Sequence, residues 1–259
     1  MNAFIGIDLA FAKKKRLPVA LCVWDNGRLV PLPVASKAAP EAPRGAGNPG
    51  TLHAATVREF AEDTAAYLRA LERHFGVVIR RVAIDAPSDP KPSGLARRHS
   101  ESELDRRRIS CFTTPSVSEF LVIRNRAAEH LAKGGAVSRL PHANQLWMLV
   151  GFELFARLRS DWECLEVFPQ ATAAALGVGG VHKSRPGGVR AQLAAVAAHT
   201  RWPAAITDKP FRGLVWGPSH DGLDAYLSAW VASLARAHRV PLGGAPDDSI
   251  WLPRVATAV

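Results

Sequence analysis

Cysteine is scarce in this sequence. The three present, Cys22, Cys111 and Cys164, are odd in number, widely spaced and free of any Cys-x-x-Cys pattern. That argues against a disulfide frame or a zinc cluster, and for reduced thiols in the cytoplasm. Long apolar runs are missing too, none reaching the roughly 18 residues that span a bilayer. The first apolar stretch precedes the lysines and no small-residue cleavage site follows, so no signal peptide is expected. Glycine signatures of nucleotide binding are absent. Gly177-Val178-Gly179-Gly180 has neither the P-loop lysine pattern nor G-x-G-x-x-G, and reads as a loop. Acidic residues are outnumbered, 23 against 33 lysines and arginines, which leaves a net charge of +10. Such a balance suits a polyanionic partner such as nucleic acid, although arginine- and alanine-rich usage also fits a GC-rich genome.

What the chain does have is an apolar strand phrase closed by one acid, used more than once. Phe4 to Leu9 is apolar except for Asp8 near its end. The phrase returns as Val82-Ala83-Ile84-Asp85-Ala86-Pro87, and in altered form as Leu165-Glu166-Val167-Phe168-Pro169. A charge at the end of a buried strand is costly unless it is paired or bound to metal. Val19 to Trp24, the turn Asp25-Asn26-Gly27 and Leu29 to Val34 read as a hairpin. The link from the first strand to the second is too short for a crossover helix, so strands 1, 2 and 3 form an antiparallel meander. Residues 35–53, rich in Ala, Pro and Gly, read as a mobile loop. Ala54 to Phe75 has helical period and leads into the strand ending at Asp85, which should therefore lie parallel to an earlier strand. Paired with strand 1, it sets Asp8 and Asp85 about 4.8 Å apart, where two carboxylates repel unless a cation or a proton intervenes.

Residues 86–118 mix acids with Arg97, Arg98 and the run Arg106-Arg107-Arg108, a pattern equally suited to a solvated helix face. Helices are expected near 118–133, 143–160 and 186–200, and a Trp/Pro/Gly-rich connection over 201–218. The last element, Ser219 to Trp230, is a helix with Ser219 as cap and an apolar stripe of Leu223, Leu227, Trp230, Val231 and Leu234. Asp221 and Asp224 share one side of its first turn, and Asp224 borders the stripe, which turns it toward the sheet. The helix macrodipole accounts for Asp221 well and for a core-facing Asp224 poorly.

Assembled, these pieces resemble the domain-of-unknown-function family 429, predicted nucleases of ribonuclease H-like fold. The matching residues are Gly6-Ile7-Asp8, Ala83 to Pro87, the Arg-rich stretch around 97–108, Glu166 to Pro169, Lys183 and Asp221 to Ala225. The helix motif also resembles that of RuvC-type Holliday-junction resolvases, where an Asp-x-x-Asp-Ala helix completes an acidic site. The resemblance implies Asp8, Asp85, Glu166 and Asp224 as catalytic metal ligands, with Asp221 as a fifth.

The expectation is thus one α/β domain over 1–259, with a ribonuclease H-like mixed sheet of five strands in the order 3-2-1-4-5 flanked by helices. It would hydrolyse phosphodiesters of DNA or RNA with two Mg²⁺ or Mn²⁺ ions, since hard oxygen ligands select such metals. Asp8 would bridge the ions, Asp85 and Glu166 would hold one side, and Asp224 the other. Lys13, Arg97, Arg98 and Lys183 are the expected phosphate contacts. His220 could assist the site, but reads more readily as a cap or surface residue. Trp202, Trp216, Trp230 and Trp251 offer stacking surfaces, with core packing expected for Trp230. A non-catalytic nucleic-acid adaptor and an actin-like phosphotransferase stay as alternatives, the latter lacking a second copy of the unit.

Overall fold

The computed structural model describes residues 1–180, 183, 187–202, 211, 220–244 and 248–255. Its centre is a mixed sheet. Strand β1 (Asn2–Asp8) pairs antiparallel with β2 (Val19–Asp25), which pairs antiparallel with β3 (Arg28–Pro31). Asn26 and Gly27 both take positive φ, 48° and 74°, as a two-residue hairpin turn with right-handed strand twist requires. Helix α1 (Ala54–Phe75) then crosses over to β4 (Val78–Asp85), parallel to β1. Its inward face is Val57, Phe60, Ala61, Tyr67, Leu68 and Leu71, as the periodicity predicts, and Gly76 ends it in the left-handed region at φ 64°.

The stretch 35–53, expected as a mobile loop, lies against residues 11–17. Leu17 donates to Pro43, Gly45 to Lys15 and Gly47 to Phe11, each through backbone N–H groups, before a 3₁₀ turn at Asn48–Leu52. Next come α2 (His99–Arg106), α3 (Val117–Ala132), the single turn α4 (Ala143–Leu146) and α5 (Met148–Leu158). Strand β5 (Glu163–Val167) joins parallel to β4, then α6 (Pro169–Ala175), α7 (Gly188–His199) and α8 (Asp221–Ser233) follow.

The sheet does not stop at five strands. Among the described residues it has seven, in the order β3-β2-β1-β4-β5-β7-β6, because β7 (Asp248–Pro253) adds parallel to β5 and β6 (Arg239–Gly244) pairs antiparallel with β7 at the edge. Pro241, Gly243, Gly244 and Pro253 break up the alternation that announces a strand. Proline is tolerated in β6 because an edge strand leaves one row of N–H groups unpaired. Among the described residues no helix is long and apolar enough to cross a membrane.

Both faces of the sheet are covered. Ala3, Ile5 and Ile7 of β1 pack with α1 and α5, together with Val82 and Ile84 of β4. Ala20, Cys22 and α8 make the opposite layer. Gly6 is where α8 comes down on β1: a Cβ there would lie 1.9 Å from the Ala225 carbonyl oxygen and 2.3 Å from the Ala229 nitrogen. Only glycine permits that approach. It brings the first turn of α8 over the carboxyl end of β1.

Candidate functional site

The carboxyl ends of the parallel strands β1, β4, β5 and β7 share one edge, where open α/β sheets place their ligands. Asp8 and Asp85 are direct register partners there. Strand alternation puts Asp8 on the face of Gly6, and Asp85 on the face of Ala83, which packs with Val231 and Ala232 of α8. Asp224, one turn into α8, is buried at 2% exposure beside them. The three acids feel one another. Burial, then the charges of Asp224 and Asp221, push the Asp8 carboxyl up to about 7, against the pull of Lys183 and Lys15. Burial and the charges of Asp8 and Asp224 hold Asp85 well above the carboxylate range. Asp224 is raised too, chiefly by burial, with Lys183 opposing.

Two lysines sit among these acids. Lys183 Nζ donates to Asp224 Oδ2, and Lys15 Nζ lies 2.5 Å from Asp221 Oδ2. Lys15 belongs to the same basic run as Lys13, the expected phosphate contact. Lys13 itself is exposed. Asp221 opens α8 behind His220, the residue at its N-cap position; Ser219, expected as the cap, and Trp216 lie outside the described residues.

Glu166 goes elsewhere. Its register partner is Ile84, so it faces the α1 and α5 side, opposite Asp85. There it accepts 2.9 and 2.5 Å bonds from both terminal nitrogens of Arg98, and a 2.8 Å bond from the Ser88 backbone N–H. Arg98 also donates to Glu101, whose Oε1 accepts from the Thr114 N–H at 2.9 Å. Burial alone would lower the Arg98 guanidinium, but Glu166 and Glu101 outweigh it and raise the group further. At 4% exposure Arg98 is a buried ion-pair partner and not a phosphate contact. Arg97, half-buried, bonds Asp105 at 2.5 Å and the Cys111 carbonyl at 3.0 Å, so it too is engaged within the fold. The arginines that line an open cleft are Arg107 and Arg108, just past the end of α2, where Arg108 takes φ 59°. The triple-arginine run was the sequence signal for them.

That cleft, about 780 Å³, is bounded by Asp85, Arg107, Arg108, Phe168, Gln170 and Lys183, with Gly177 and Gly179 among its walls. Trp230 and Trp202 are buried in the core, the latter donating its indole N–H to the Leu29 carbonyl at 2.9 Å. Trp251 lies under Arg236 and Arg239.

Oxygen donors from Asp8, Asp85 and Asp224 match a hard divalent cation in kind. Asp224 Oδ1 is buried without a hydrogen-bond partner, an atom that a cation would satisfy. As placed, no three acids, histidines or cysteines among the described residues stand close enough to hold an ion. Glu166 is turned to Arg98, and Lys183 takes the other Asp224 oxygen.

Comparison with known proteins returns no match among curated proteins and none among solved structures. A family does match, described as "Protein of unknown function (DUF429)", over residues 6–248. That span runs from the glycine under α8 to the first residue of β7, and the chain belongs to the DUF429 family.

Proposed function

We propose that this protein is a divalent-metal-dependent nuclease built on a ribonuclease H-like fold. One observation carries the reading: three acids from separate elements, Asp8, Asp85 and Asp224, converge at the carboxyl edge of the sheet in an environment that disfavours their ionisation. Structural acids are usually matched by donors. These repel one another, and one buried oxygen is left unpaired. The β3-β2-β1-β4-β5 order, with a final helix delivering the last acid, supports the fold assignment.

Asp8, Asp85 and Asp224 would hold the Mg²⁺ or Mn²⁺, with Asp221 beside them. When bound, such ions supply an activated water and neutralise charge on the leaving oxygen. The protein's own part is positioning. Arg107, Arg108 and Lys183 line the cleft that borders Asp85 and would hold phosphates of the strand. Glu166 acts one layer back by fixing Arg98 and the Ser88 backbone, so the loop after β4 keeps its path. Cys22, Cys111 and Cys164 are free thiols, consistent with work in the cytoplasm.

A second reading, a nucleic-acid adaptor without catalysis, draws on Lys183, which already neutralises Asp224. Incubating oligonucleotides with the protein and Mn²⁺ separates the two. The nuclease reading expects cleavage by the wild type and none by Asp85→Asn. Metal-independent binding with no cleavage of single-stranded, duplex or branched substrates would overturn it.

A further inference from the structure

A second cavity, about 310 Å³, meets the basic cleft at Asp85 and lies on the Glu166 side of the strand ends. The two spaces share Asp85, Ser110 and Phe168. Apolar and aromatic side chains, Phe112, Trp147, Met148, Phe168, Leu104 and Ile250, make much of the wall of this one, and Asp85, Arg98, Glu101 and Glu166 line it as well. Phe112 is 56% exposed, a large ring left in solvent at the lining of a concave site. Among these walls stands Thr114, only 1% exposed, whose Oγ1 has no hydrogen-bond partner. A buried hydroxyl in that condition is unfavourable, and a hydrogen-bonding partner would relieve it. Arg98, Glu101 and Glu166, which line the cavity, are tied to one another by ion pairs.

Flat rings around a space at the lower end of small-ligand volumes suit a planar heterocycle, and the Thr114 hydroxyl suits its edge. A ring there, with a charged group in the arginine cleft one step away, is the outline of a nucleotide. We propose that this pocket takes one unpaired nucleobase of the substrate strand, against Phe112 and Trp147 and hydrogen-bonded to Thr114 Oγ1, while the adjoining phosphate lies beside Arg107 and Arg108. The proposal rests on the nuclease reading for the source of the base, and it names the substrate class: a strand with a base out of its stack. A base paired within a duplex cannot reach such a pocket without being extruded.

The test is binding, so that cleavage does not enter. A short single-stranded oligonucleotide and a chain of abasic tetrahydrofuran units of equal length and charge are titrated in Ca²⁺, with their integrity checked. The wild type should bind the base-bearing strand about tenfold more tightly, within the range of base–aromatic stacking. Phe112→Ala alters an exposed ring, and Thr114→Val keeps the shape of a residue whose backbone N–H, not its hydroxyl, holds Glu101. Each should cut the preference to roughly threefold or less and leave abasic affinity unchanged, and Thr114→Val should melt no lower than wild type. Equal wild-type affinity for the two strands, or variants that keep the full preference, would overturn the pocket alone. Failure of both strands to bind would also overturn the pocket, while the nuclease reading stands or falls by cleavage of duplex and branched substrates.

Discussion

Asp8 and Glu166 each stand near the end of a parallel strand, yet the fold gives them opposite neighbours. Asp8 faces two other carboxylates, and Glu166 faces a guanidinium. Charge-removing substitutions should therefore act in opposite directions. For Asp8 the native pKa lies near 7, above the unfolded value, so the native state binds the proton more tightly. The associated stability is present below about pH 4 and is lost as pH rises toward 7. In EDTA, the melting temperature of Asp8→Asn minus that of wild type should widen between about pH 4 and 7. A gap that stays flat would contradict the raised pKa. Glu166→Gln removes a charge that Arg98 needs, and should destabilise by about 3 kcal/mol in urea unfolding, the low end for a broken buried pair because Glu101 remains. A metal-free Glu166→Gln as stable as wild type would show Glu166 to be a repelled acid like Asp8.

Among elements, β1 and α8 decide the site through one contact at Gly6. Gly6→Ala would drive a methyl group into the Ala225 carbonyl, so α8 must lift and carry Asp224 away from Asp8. Urea unfolding should show a loss at or beyond the upper end of the usual 1–3 kcal/mol for overpacking. A loss under about 0.5 kcal/mol would mean that α8 is not seated as described. The first five strands, the pairing of Asp8 with Asp85 and the inward face of α1 were all legible in the sequence, because period and connection length dictate them. The phase of β5 against β4 was not. Glu166 reads like Asp85 in sequence, but register pairs it with Ile84 and alternation sends it to the other layer. Strands β6 and β7 are not legible in the sequence because Pro241, Gly243 and Gly244 erase the alternation of an edge hairpin. The arginines were not separable in the sequence, because the start of α2 at His99 decides that Arg97 and Arg98 turn inward and its end at Arg106 leaves Arg107 and Arg108 exposed.

At the scale of the whole molecule, a net charge of +10 sits on a chain whose carboxyl edge concentrates acids. A polyanion would be drawn to the protein by the basic balance and repelled at that edge unless a cation intervenes. Whether the acids at the carboxyl edge hold a divalent cation is the central claim, and it has a direct measurement: thermal melting of wild type and Asp8→Asn, each with EDTA and with Mn²⁺. Ligand binding to the native state stabilises by about 2.7 kcal/mol at a hundredfold excess over Kd, roughly 5–10 °C for a chain of this size. Wild type should show such a rise, Asp8→Asn a much smaller one, and in EDTA the mutant should be at least as stable as wild type. A wild-type melt indifferent to Mn²⁺, with Asp8→Asn destabilised in both conditions, would contradict it.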